Sequence, residues 1–242
     1  MLNCEQEIKD RVSFIRSVLE RSGAKGIVYG NSGGKDSALV GILCKMACSN
    51  TVGVIMPCSS AQNYGSDRDD ALAAAAKFNI ETRTVDLSDT RQSMLAAVGQ
   101  ASEISPGAVA NIPPRLRMIC LYAIAASEGR LVAGTGNKNE YFMGYFTKWG
   151  DGAYDFNPIS DLTVDQIYEL LTYLGAPESI ITKAPSAGLF DGQTDEKEMG
   201  VTYAAVTDYM NGAPVSGSDA LIIERYHSSS EHKRQPPLRY SE

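Results

Sequence analysis

Between residues 30 and 37 the chain reads Gly30-Asn31-Ser32-Gly33-Gly34-Lys35-Asp36-Ser37, which puts backbone freedom, polar side chains, a cation and a carboxylate into one short run. Gly30, Gly33 and Gly34 allow close backbone approach to an anion, and Asn31, Ser32 and Ser37 add polar groups. Lys35 brings positive charge, and Asp36 is the type of ligand a hard cation takes when it lies against phosphate oxygens. The four-residue gap and terminal Gly-Lys-Ser/Thr of a Walker loop are missing, so a different phosphate grip is implied. A plain Gly-Gly turn with Asp36 as helix cap is the competing reading.

Such a loop acts only between elements that hold it still. GIVYG at 26–30 reads as a strand entering it, and ALVGILCKMA as a buried helix leaving it. Upstream, Ile8, Val12, Ile15, Val18 and Leu19 recur at helical spacing and stop at Ser22-Gly23. Downstream, strands are expected at 51–57, 81–85 and LVAGTG, and helices at 67–78 and 163–175. RLRMICLYAIAASEG at 115–129 reads as a mostly buried helix entered through Pro113 and Pro114. Alternation of this kind predicts an α/β fold, a doubly wound parallel sheet with helices on both faces. Residues 137–161 and 183–200 lack periodicity and read as loops, the second polar and placed to act as a lid. No repeat or linker divides the chain, so 1–242 is expected to be one domain.

Composition narrows the chemistry. The 242 residues carry a net charge of −7, which opposes generic binding to nucleic acid phosphates. His227 and His232 are the two histidines, so catalysis is expected to rest on carboxylates, lysines and backbone amides. Cys4, Cys44, Cys48, Cys58 and Cys120 form an odd set without CxxC spacing, as in a reduced compartment. No apolar run nears the roughly 20 residues of a membrane span, and MLNCEQEIKD has no apolar export region, so a cytoplasmic location is expected.

SGGKDS after a strand resembles the pyrophosphate loop of the N-type ATP pyrophosphatases, which cleave ATP between its α and β phosphates and adenylate a carboxylate or carbonyl oxygen. Within that group, GTGNKNEYFMGYFTKWGDGAYDFNPISDL at 134–162 closely resembles the NAD synthetase pattern, as do RLRM, PSAGL, GQTDE, MGVTY and HKR. The resemblance implies the adenine nucleotide alpha hydrolase-like fold and an ATP-dependent amidation of deamido-NAD to NAD with ammonia. It assigns Gly30 to Ser37, Thr135 and Ser186 to ATP, and Asp36 and Glu140 to Mg²⁺. Arg115, Lys148, Asp155, His232 and Lys233 resemble contacts to deamido-NAD, and Asp151 a carboxylate beside the attacking ammonia. Asp36, Glu140 and Asp151 are thus the expected catalytic set. A homodimer is implied, with helix 115–126 contributing.

The chain departs from the pattern at Val164, where many members have a phosphate-directed lysine, and Lys183 or Lys197 could replace it. Gly188 stands for a frequent aspartate, and Pro114 for an alanine. A tRNA-thiolating pyrophosphatase and a silent nucleotide sensor are the alternatives. The acidic charge weighs against the first, and Asp36 with Glu140 against the second. The lack of an amidase domain argues against glutamine as direct nitrogen donor, while a separate glutaminase subunit stays compatible.

Overall fold

The computed structural model describes residues 2–58, 64–183 and 194–240. Helix α1 (Cys4–Ser22) is capped by the Asn3 side chain, which accepts from Gln6 N–H, and closes at Gly23 with φ 68°. Its buried Ile8, Val12 and Ile15 face the sheet layer. Strand β1 (Gly26–Gly30), helix α2 (Lys35–Ala47) and strand β2 (Thr51–Ile55) follow. Then come α3 (Ser66–Lys77), β3 (Glu81–Thr84), α4 (Ser88–Gly99), α5 (Pro106–Glu128) and β4 (Arg130–Ala133).

Among the described residues the sheet has four strands in the order β3-β2-β1-β4, all parallel, with Val28 paired to Val52 on one side and Val132 on the other. Strand alternation sorts the core. Ile27 and Tyr29 pack toward α1, α2 and the later helix at 164–174, whereas Val28, Val52, Val54 and Val132 pack toward α5. Gly41 and Gly53 leave room for Tyr29, because a Cβ on Gly41 would stand 2.2 Å from the Tyr29 hydroxyl.

The chain runs from β1 outward through β2 and β3, then returns to lay β4 on the opposite side of β1. Such a reversal opens a crevice beyond the carboxyl ends of β1 and β4. The expected doubly wound α/β architecture is therefore present.

Several expectations need correction. Helix α5 starts nine residues earlier than expected: Ser105 caps it, Pro106 occupies its first turn, and Pro113 and Pro114 lie inside it. Both prolines are buried, so packing holds them where backbone hydrogen bonding cannot. That helix is not mostly buried either, since Ile119 is 55% exposed. The 137–161 segment contains a short helix, α6 (Lys138–Met143). After α7 (Val164–Leu174) and α8 (Glu178–Ile181), the polar 183–200 segment holds helix α9 (Asp195–Met199). Ser186, Gly188 and the central part of the expected lid lie outside the described residues. The chain ends in α10 (Tyr203–Met210), α11 (Gly217–Ser229) and α12 (Glu231–Arg234).

Candidate active site

A cleft of about 630 Å³ opens at the switch point. Its walls include Gly30 to Ser32 and Gly34 to Ser37, then Thr135, Gly136 and Glu140 after β4, Arg117 and Met118 from α5, Asp151, and Lys233 from α12.

At the loop, Gly33 adopts φ 75°, and a Cβ there would come within 2.0 Å of the Asp67 carbonyl oxygen. Glycine is therefore demanded twice, by the left-handed backbone and by the approach of α3. The Ser32 and Ser37 hydroxyls lie 3.1 Å apart, and Asn31 donates to the Ala71 carbonyl at 3.1 Å, so Asn31 ties the loop to α3. Lys35 is buried, with Nζ 2.8 Å from Asp36. Burial disfavours its charge, but Asp36 and Glu140 outweigh that and hold its pKa above the usual lysine range.

Asn137 joins the two carboxylates. Its side chain caps α6 by accepting Glu140 N–H at 3.0 Å, its backbone N–H donates to Glu140 Oε2 at 3.0 Å, and its amide donates to Asp36 Oδ1 at 3.2 Å. Burial, then the charge of Asp36, pushes the Glu140 pKa well above the ordinary carboxylate range, while Lys35 and the Asn137 N–H pull it back. Two carboxylates whose charges oppose each other beside an anion-binding loop are a donor set that a hard divalent cation relieves, with phosphate oxygens able to fill its remaining positions. The residues present fit Mg²⁺. Nearby, Tyr203 Oη donates to the buried Asp195 at 2.9 Å, and Lys35 Nζ lies 5.7 Å from the Tyr203 ring centroid.

At the other end, Asp151 accepts Thr147 N–H at 2.9 Å. The residue keeps open surface toward the cleft, yet protein surrounds its carboxylate closely enough that desolvation raises its pKa, against the Thr147 hydrogen bond and the charges of Arg117 and Lys233. Lys233 Nζ donates to the Gly144 and Phe146 carbonyls at 2.7 Å each and lies 5.4 Å from the Phe146 ring centroid. Gly144 has φ 64° and faces Ser230 so closely that a Cβ would come within 2.1 Å of it, which seats the C-terminal helices on this wall.

The other expected dinucleotide contacts lie outside the cleft lining. Arg115 is exposed and donates to the Lys148 carbonyl at 3.3 and 3.4 Å, and Lys148 Nζ donates to the His232 carbonyl while lying 5.5 Å from the Trp149 ring centroid. Asp155 accepts Val132 N–H at 2.7 Å and Tyr122 Oη at 3.3 Å, capping the edge of β4. Val164 is buried in an apolar cluster with Met143 and Met199, a place unsuited to lysine. Lys183 lines the cleft and pairs with Asp67 at 2.8 Å and Asp70 at 2.7 Å, whereas Lys197 is exposed on α9. The sequence reading missed Arg117, Asn137 and Asp195. Residues two apart on a helix point about 200° away from each other, so only one arginine of RLRM could face the cleft. The Asn-x-x-Glu spacing at 137–140 was a legible capping signal.

The model of the NAD synthase family matches residues 7–237. The chain belongs to that family. A relative named NH(3)-dependent NAD(+) synthetase, from Carboxydothermus hydrogenoformans, is 42% identical over 239 residues, covering 98% of this chain and 97% of its own. The structure of NMN synthetase from Francisella tularensis matches with a TM-score of 0.94 and 38% identity, covering 99% of both chains. That of NH3-dependent NAD synthetase from Campylobacter jejuni matches with a TM-score of 0.81 and 27% identity, covering 99% of this chain and 100% of the other. NAD synthases are ligases that amidate deamido-NAD to NAD at the expense of ATP, and as a member this chain is a ligase of that kind. The adenine nucleotide alpha hydrolase-like fold is likewise shared with these NAD synthase structures.

Proposed function

We propose that this chain, acting as a single catalytic unit, binds Mg-ATP over residues 30–37 and adenylates the nicotinate carboxylate of deamido-NAD, after which ammonia displaces AMP to give NAD. The observation that carries this reading is the meeting, in one cleft, of the anion loop, the Asp36–Glu140 pair and the Asp151–Lys233 wall. The loop amides, Ser32 and Ser37 receive the departing pyrophosphate, with Lys35 adding charge. Asp36 and Glu140 would hold Mg²⁺, which neutralises the triphosphate when bound. Thr135, which lines the cleft, contacts ATP in this reading. Asp151 retains ammonium near the acyl carbon and takes up a proton. Water must be kept from the acyl adenylate, which it would otherwise hydrolyse.

A second reading concerns the acceptor. The Francisella protein, named an NMN synthetase, superposes more closely than the Campylobacter NAD synthetase, with TM-scores of 0.94 and 0.81. Arg115, Lys148, Asp155 and His232 lie outside the cleft lining, so a pyridine mononucleotide acceptor does not need them. In the first reading those four residues hold the part of deamido-NAD that projects from the cleft. A homodimer formed through the exposed apolar side of α5 then encloses that part, in a cytoplasmic enzyme. The test is to offer deamido-NAD and nicotinate mononucleotide in turn with Mg-ATP and ammonium and compare kcat/KM. Preference for deamido-NAD supports the first reading, preference for the mononucleotide the second, and turnover of neither contradicts both.

A further inference from the structure

Proton bookkeeping at the amidation step points to a residue that the expected site set used only for binding. Ammonium carries four protons and the amide nitrogen of the product two. As nitrogen bonds to the acyl carbon and the bond from that carbon to the AMP oxygen breaks, two protons must leave nitrogen. If AMP departs as a dianion, both go to protein groups. Asp151 can take one. A carboxylate is matched to the more acidic proton of the tetrahedral adduct and is a poor base toward free ammonium.

Lys233 lines the same cleft as Asp151, in a geometry that suits a neutral amine as well as a cation. Two of its Nζ hydrogens are committed to the Gly144 and Phe146 carbonyls, each at 2.7 Å. With Cε in the third position, the fourth tetrahedral position of Nζ remains, and the residue lines the cleft. Nothing in that arrangement requires a third N–H, so a lone pair can stand there at no loss of hydrogen bonding. The charged groups around it are Asp151, from the segment after α6, and Arg234, on its own helix; Arg117 of α5 acts on Asp151 from α5. Burial, aided by Arg234 and opposed by Asp151, holds the Lys233 pKa below that of an ordinary lysine.

We propose that Lys233 is a catalytic base of the amidation step, which takes the first proton from ammonium while Asp151 takes the second from the tetrahedral adduct. The proposal rests on the adenylation-then-amidation reading. It differs from a pure binding role, in which the cation of Lys233 would serve the dinucleotide in both half-reactions.

Lys233→Arg keeps donors for both carbonyls and keeps the charge, but an arginine does not release its proton at working pH. Lys233→Gln keeps an amide donor without charge. Two rates are measured for each variant: exchange of labelled pyrophosphate into ATP with acceptor present and ammonia absent, and amide formation at saturating ammonium across pH. In both variants the ratio of amide formation to exchange should fall by roughly 100-fold from the wild-type ratio, whatever share of exchange is lost with acceptor binding. With ammonium saturating, the wild-type ratio of amidation to exchange should rise with pH as Lys233 gives up its proton, and in Lys233→Arg that rise should move to higher pH. Full amidation in Lys233→Arg would overturn the proposal, as would a parallel loss of both rates, which marks Lys233 as a binding or structural group. Absence of acceptor-dependent exchange in the wild-type enzyme would instead overturn the adenylation reading beneath it.

Discussion

Gly33 and Glu140 show how single residues set the terms of the site. Alanine at Gly33 would meet both a left-handed backbone and the Asp67 carbonyl, a strain of about 1–3 kcal/mol. We predict that Gly33→Ala folds but loses ATP affinity by about tenfold or more in calorimetry, since 1.4 kcal/mol is one decade. Unchanged affinity would mean the loop does not hold phosphate. Glu140 carries a linked prediction in pH. Its folded pKa is raised, so the folded state holds a proton that the unfolded state releases above its ordinary value of 4.5. Stability from this group is therefore full below that value and lost as pH climbs through the folded pKa. Glu140→Gln should remove the loss, so its Tm advantage over wild type should grow from about pH 4.5 upward. Magnesium should narrow that gap, and turnover should be abolished in Glu140→Gln, as in Asp36→Asn. A pH-independent Tm difference would remove Glu140 from the strained pair.

At the scale of elements, the cap of α6 links local folding to the site. Asn137→Ala removes the α6 cap, about 1 kcal/mol of stability, together with the donor to Asp36. Asn137→Asp keeps the cap but places a third carboxylate beside the pair, so it should preserve Tm better than Ala and bind Mg-ATP worse than wild type. Equal Tm values for the two variants would show that the cap contributes nothing. The elements that sequence periodicity made legible are those with one clean apolar face, α1 and α7, and the short buried strands between turn signals. Helix α5 was misread because Pro113-Pro114 resembles a helix entry, and its true start at Ser105-Pro106 is a weaker apolar pattern. Helix α4 has no buried residue and α9 spans one turn, so neither offered a period to read. The resemblance to family motifs singled out the loop, Glu140 and Asp151, and the fold brings all three to one cleft. Which of the basic residues reach the cleft could not, because that depends on how α5 and α12 are rotated about their axes.

Over the whole molecule, the cleft gathers segments from β1, α3, α5, the stretch after β4, and the two C-terminal helices. A ligand that bridges so many segments should stabilise the fold as a unit. Mg-ATP at 100 times its Kd should add about 2.7 kcal/mol, which for a chain of this size raises Tm by several degrees, roughly 2–4 °C per kcal/mol. A Tm indifferent to Mg-ATP would place nucleotide binding elsewhere. The central claim is that a carboxylate oxygen of the acceptor attacks the α-phosphorus of ATP, and oxygen tracing tests it most directly. With the nicotinate carboxylate labelled in ¹⁸O and ammonium supplied, the account predicts one labelled oxygen in AMP, the other retained in the product amide, and none in pyrophosphate. Label in pyrophosphate, or formation of ADP and phosphate in place of AMP, would contradict it.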